Sequence, residues 1–233
     1  MPLPPPFPPA TTAAHARAAL EAAGWVLVGT GDWSWAYASP DAATVARVTP
    51  WDRAYRLHAA TCQAHPNKYL QRIDRIDDLR DGGHVVFMER LWPADWARTE
   101  AFCAAIGLGN QGQEATTIAP AADVATFDGD ADLAALRRIV SEACESGAAS
   151  IPFWGGLDIQ PRNVMADAAG QLKLIDPLFV AGKTIIEAIL AGERERLAAI
   201  PRGSLTAFLT IPVFEDRADG LRNALIAMDL IDG

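Results

Sequence analysis

The sequence has little cysteine and no CxxC pair: Cys62, Cys103 and Cys144 are its only thiols and lie far apart. Their odd number and lack of metal-ligand spacing leave free, packed thiols in a reducing compartment as the expectation. A surplus of basic charge is also missing. The formal net charge is -9, which argues against a general nucleic-acid or anionic-membrane binder, because those depend on basic surfaces. A local basic site inside a cleft stays compatible with that balance. No apolar run approaches the length that spans a bilayer. The opening "MPLPPPFPPA" lacks the basic n-region and long apolar stretch of a secretion signal, so a cytoplasmic protein is expected. No internal repeat is found. What the chain does have is 233 residues, half of them apolar and about a fifth charged. That suffices for one domain with two lobes, or two small domains, around a sizeable core.

Proline and glycine punctuate the chain. Residues 1–10 read as a proline-rich extended arm. A helix follows from about Thr12, capped by a threonine hydroxyl, and runs through "AAHARAALEAA" to Gly24. "WVLVGT", "SWAYAS" and "ATVARVT" then read as a three-stranded antiparallel meander, with turns at Gly29–Gly31 and "SPDA". "WDRAYRLHAATCQAH" has helical spacing. "DGG" marks a hairpin turn, and "HVVFMERL" is an apolar strand. With "HPNKYLQRIDRIDDL" returning through a turn into a further strand, five strands precede about residue 90. After Leu91 the pattern turns helical in "PADWARTEAFCAAIGL" and "DADLAALRRIVSEACESG", separated by an irregular connection over residues 107–130. Beyond Asp176, "KTIIEAILAGERERLAAI" and "ADGLRNALIAMDLI" are helical. The expectation is a β-rich part, residues 11–90, joined to a helix-rich part, residues 91–233, with a cleft between them.

One stretch holds polar residues in an otherwise core-like pattern. "GGLDIQPRNVMADAAGQLKLIDP" places Asp158, Asn163 and Asp176 among apolar residues. They are either turn residues or a site. "NVMADAAGQLKLID" reads as a strand, a turn at "ADAAG" and a second strand, and such a hairpin brings Asn163 and Asp176 to one end, where both can ligate one hard cation through oxygen. Asp158 would face the same space with no basic neighbour in sequence to pair with.

This spacing resembles the catalytic loop and metal-binding aspartate of the protein-kinase-like superfamily, which includes aminoglycoside and choline phosphotransferases. "LDIQPRNVM" followed by "IDP" is most similar to the compact Ser/Thr kinases of tailed phages, with Asp-Pro where larger kinases have Asp-Phe-Gly. "VGTGDWSWAYASPDAATVARV" resembles the glycine-rich loop and the strands around it, and the resemblance covers roughly residues 25–180. It implies an α+β bilobal fold with a small antiparallel β-sheet N-lobe and a mostly helical, reduced C-lobe, using ATP and Mg2+. Asp158 would be the catalytic base, and Asn163 and Asp176 the metal ligands. Gly29, Gly31 and Ser34 would line the phosphates, and Val45 and Met165 would sandwich the adenine. Met88 would be the gatekeeper, with the backbone of Arg90 and Leu91 bonding the base.

The sequence departs from that family in four places. Arg47 stands where a lysine usually holds the α- and β-phosphates, and the two cations are not interchangeable. No glutamate occurs between Glu21 and Glu89, which leaves Asp52 as the candidate partner of Arg47. Gly156 replaces a histidine two residues before the base. Gln160 stands in place of a lysine that touches the transferred phosphate, with Arg162 as its candidate substitute. Loss of a clamp lysine would cost on the order of 2–4 kcal/mol of transition-state stabilisation. The segment after Asp176 has no long activation loop and no Ala-Pro-Glu element, and the second lobe is small. Both features favour a protein Ser/Thr kinase acting on host proteins in the host cytoplasm. The alternatives are a catalytically weak or inactive relative that binds a partner protein, and a small-molecule kinase.

Overall fold

The computed structural model describes residues 2–108, 127, 129–214 and 218–232. Thr12 opens helix α1 (Ala13–Ala22): its hydroxyl accepts a hydrogen bond from the His15 amide at 3.2 Å, as an N-cap should. Next come β1 (Val26–Thr30), β2 (Trp35–Ala38) and β3 (Thr44–Thr49), then α2 (Arg53–Ala64), β4 (Ile73–Asp78) and β5 (His84–Glu89). The five strands form one antiparallel sheet in the order β1-β2-β3-β5-β4. Alternation sorts its two faces. Trp35 and Tyr37, Ala46 and Val48, Val85 and Phe87 all turn towards α1, where they bury Ala16 and Leu20. Fully burying a large side chain of this kind contributes about 1.5–3 kcal/mol. Val45 and Arg47 lie on the other face by the same alternation, beside Ala38 and Ala36 of β2.

The proline-rich arm docks on this sheet. Phe7 stacks on Phe87 with ring centroids 6.5 Å apart, and its amide donates to Asp77 at 3.1 Å. Arg75 donates to the Pro4 carbonyl at 2.7 Å and lies 4.4 Å over the Phe87 ring. The arm is extended, as expected, and Leu3 and Phe7 pack it against the core. Prolines suit it because their missing amides need no ladder partner.

Beyond β5 lie β6 (Trp92–Pro93), α3 (Trp96–Ile106), α4 (Ala131–Ser150), β7 (Trp154–Leu157), β8 (Val164–Ala166), β9 (Leu172–Leu174) and β10 (Leu178–Val180). Asp95 caps α3 and Gly107 ends it in a left-handed conformation. Asp130 caps α4 through the amides of Asp132 and Leu133. Most of the long connection expected over residues 107–130 lies outside the described residues. Strands β6, β8 and β9 form one small sheet, and β7 pairs antiparallel with β10. The chain closes with α5 (Gly182–Leu190), α6 (Arg194–Leu197), α7 (Arg202–Phe208) and α8 (Ala218–Ala227). The helix read through "KTIIEAILAGERERLAAI" breaks at Gly192, so it is two helices rather than one. The fold is α+β, with the five-stranded sheet formed by the first part of the chain and most of the helix by the rest.

Two compact units result. One comprises residues 1–53, 74–88 and 181–233, and the other residues 54–73 and 89–180. The C-terminal helices group with the five-stranded sheet. Trp33, Trp51 and Phe208 make that association, with ring centroids 5.5–5.9 Å apart. Among the described residues, no helix is long and apolar enough to cross a membrane.

Candidate catalytic and metal-binding site

Strand β7 carries the chain into the loop that holds Asp158, and two glycines shape it. Gly156 sits at φ 100°, a conformation that L side chains rarely adopt. Opposite it the register shifts between Phe179 and Val180, so β7 carries a bulge at Gly155–Gly156. This explains the glycine found where the resembling family has histidine: the backbone here requires it. Glycines also make room for two aromatic rings around β7. Trp154 rests on Gly147 of α4, and Phe179 of β10 rests on Gly155.

The three polar residues converge. The Asp158 amide donates to the Pro177 carbonyl at 2.8 Å, and the Ile175 amide donates to the Asn163 carbonyl at 2.9 Å. Asp176, between Ile175 and Pro177, is thereby pinned from one side at Asp158 and from the other at Asn163. The pairing of Val164 with Leu174 at the start of β8 and end of β9 fixes the same register. The hairpin turn itself uses a different aspartate. Asp167 accepts from the amides of Ala169 and Gln171, each at 2.9 Å. Turn chemistry therefore accounts for Asp167 and leaves Asp158, Asn163 and Asp176 to be explained otherwise.

Side-chain bonds orient the loop. Asn163 Nδ2 donates to the Asp158 carbonyl at 2.8 Å and to its carboxylate at 2.9 Å. An amide that spends its nitrogen this way leaves its carbonyl oxygen outward, and no described residue donates to Asn163 Oδ1. An amide oxygen and a carboxylate are each donors of the hard type that Mg2+ takes. Gln160 donates to Asp158 Oδ1, and Arg162 pairs with Asp158 Oδ2 at 3.1 Å. Arg162 is largely exposed, so this pair stabilises the loop little; it bends the guanidinium back to the carboxylate for which sequence offered no partner.

Met165 lies on β8, paired with Pro93 and with Lys173 of β9. Lys173 escaped the sequence reading. Its buried ammonium stands 3.7 Å from Glu89 and 3.9 Å from Asp167, and Glu89 also accepts from the Arg72 amide at 2.6 Å. A lysine alternating within the apolar "QLKLI" was the available signal. Arg90 and Leu91 follow β5 in the same unit, and the Arg90 guanidinium lies 5.7 Å from the centroid of Trp92.

The other expected residues belong to the sheet unit. Gly29 is the last but one residue of β1, and Gly31 donates to the Ser34 carbonyl at 2.9 Å to close the turn. Ser34 is buried, and its hydroxyl accepts from Arg47 Nε at 2.8 Å. Arg47 also approaches Asp52 at 3.9 Å, so the acid singled out by sequence is its ionic partner. Met88 is buried at the end of β5. The tip of the turn is held by the C-terminal helices: Val213 donates to the Asp32 carbonyl at 3.1 Å, and Trp33 packs on Phe208 and against Gly182. No local signal in the chain announces this clamp.

No protein family model matches the chain, and no curated protein matches it. Among solved structures it is similar to an aminoglycoside phosphotransferase from Streptomyces rimosus, at 14% identity over 92% of this chain and 95% of that one, with a TM-score of 0.31.

Proposed function

We propose that this chain is an ATP- and Mg2+-dependent phosphotransferase that modifies serine or threonine hydroxyls of a protein, in the manner of the phage kinases its motif resembles. The observation that carries the reading is the pinning of Asp176 between Asp158 and Asn163 by two backbone hydrogen bonds. Asn163 and Asp176 would hold Mg2+, which when bound neutralises phosphate charge. Asp158 would orient the acceptor hydroxyl and take its proton. The hydroxyl oxygen bonds to the γ-phosphorus as the bond from that phosphorus to the bridging oxygen breaks, and ADP leaves. Gln160 and Arg162 would keep the two Asp158 oxygens aimed before substrate arrives. The nucleotide roles drawn from the resemblance for Gly29, Gly31, Ser34, Val45, Arg47, Met88, Arg90, Leu91 and Met165 belong to the same proposal, as does action in the cytoplasm. Incubation with γ-labelled ATP and host lysate tests it. Labelled protein should appear with the wild type and fall at least about 100-fold with Asp158→Ala; equal labelling by both would refute the role of the base.

A second reading has its own support. Arg47 is already engaged by Ser34 and Asp52, and the turn at Asp32–Trp33 is clamped. Both features suit a fold that binds a partner protein without transferring phosphate. On that reading Asp158→Ala keeps full biological effect, and a folded variant that loses the effect rules it out.

A further inference from the structure

A cavity of about 620 Å3 lies within the sheet unit, bordered by α1, β2, α7 and α8. That volume suits a small ligand. The chain is acidic overall, yet among the described residues Arg17, Arg80 and Arg222 open onto this cavity, against Asp81 and Asp219. Arg80 is already paired, its Nε 3.2 Å from Asp81. The other two guanidinium groups have no ion pair among the described residues. Arg17 lies 3.8 Å over the Trp35 ring and donates through Nε to the Tyr37 hydroxyl at 3.0 Å. Its two terminal nitrogens donate to no described residue, and Arg222 has no hydrogen bond or ion pair with any described residue. Both arginines are only partly exposed. A guanidinium stays charged and carries five N–H donors, and the unpaired ones of Arg17 and Arg222 are open to solvent, and so to a ligand, since neither side chain has a buried unpartnered nitrogen. Arg17 is moreover held in place before any ligand arrives, which lowers the entropy lost on binding. Trp35 and Phe214 supply an aromatic wall beside these donors.

We infer that this cavity binds a small organic anion, a carboxylate or phosphate head on an aromatic body, with Arg17 and Arg222 on the head. The site lies in the other unit from Asp158, Asn163 and Asp176 and stands or falls without the phosphotransferase reading. Calorimetric titration of the full chain with benzoate, phenyl phosphate and the neutral benzyl alcohol tests it. At least one anion should bind saturably at one site and benzyl alcohol should not; whichever anion binds tighter identifies the head. Removing one charged donor pair should weaken binding at least about tenfold in Arg222→Ala, and in Arg222→Gln should alanine unsettle α8. Asp176→Ala should bind as the wild type does. The inference is overturned if neither anion binds, if benzyl alcohol binds equally, if both Arg222 variants keep wild-type affinity, or if Asp176→Ala abolishes binding.

Discussion

Replacing Gly155 by alanine would place a methyl group against the ring that holds β7 to β10. A Cβ built there stands 2.7 Å from Cζ of Phe179 and closer still to two other ring atoms, far inside van der Waals contact. Overpacking of a fitted contact costs about 1–3 kcal/mol. Phe179 is only partly buried and can swing outward, which holds the expected cost to about 1–2 kcal/mol. With a urea slope of about 2 kcal/mol/M, the unfolding midpoint should fall by about 0.5–1 M. The consequence for the site is local. The two strands that would be pushed apart also carry the bond from the Asp158 amide to Pro177, so that amide should lose hydrogen-exchange protection in the variant. Phe179→Ala removes the obstacle, and in that background Gly155→Ala should cost under about 0.5 kcal/mol. Gly170→Ala is the contrast: a Cβ there meets nothing within 4 Å, so only the φ of 80° penalises it, by about 1 kcal/mol. If Gly155→Ala costs the same with and without the Phe179 ring, the packing argument is wrong.

Two further outcomes follow from burial and charge. Lys68, and then Tyr69, hold the Asp130 carboxyl well below the usual carboxylate range. A depressed folded-state pKa stabilises above the unfolded value and is lost as pH falls below it. The stability gap between wild type and Asp130→Asn, which keeps a capping oxygen, should therefore be full above about pH 5 and narrow towards pH 2; a gap that widens on acidification contradicts the assignment. All three thiols are buried, and burial pushes Cys103 up to about 12 and raises Cys62 and Cys144 as well. Ellman's reagent at pH 8 should leave the native protein unlabelled and modify three thiols once it is unfolded, whereas rapid labelling of the native chain would show that a thiol is accessible.

Much of the sheet and of the candidate site was legible because it is written in local signals. A threonine cap announces the start of α1, alternation in "ATVARVT" gives β3, and the apolar run "HVVFMERL" gives β5. The spacing of Asp158, Asn163 and Asp176 around one hairpin predicts their convergence, and Asp52 was the single acid that Arg47 could reach at the start of α2. What escaped depends on contacts distant in sequence. Nothing local says that Phe7 will stack on Phe87, that Val213 will bond the turn at Asp32, or that residues 181–233 will pack with the first strands. Gly156 was visible only as a missing histidine; its need for positive φ appears once the β7 bulge is seen. The Lys173–Glu89 pair joins residues whose chain separation hides it.

The central claim is that Asn163 and Asp176 hold a cation for a bound nucleotide. Thermal unfolding followed across an ATP titration, with and without Mg2+, tests it most directly. At 100-fold over Kd a ligand stabilises by about 2.7 kcal/mol, which in a chain of this size raises Tm by about 5–10 °C. The account predicts such a rise only with Mg2+ present, and its loss in Asp176→Ala. No rise at all, an equal rise without the metal, or a rise that survives Asp176→Ala would contradict it.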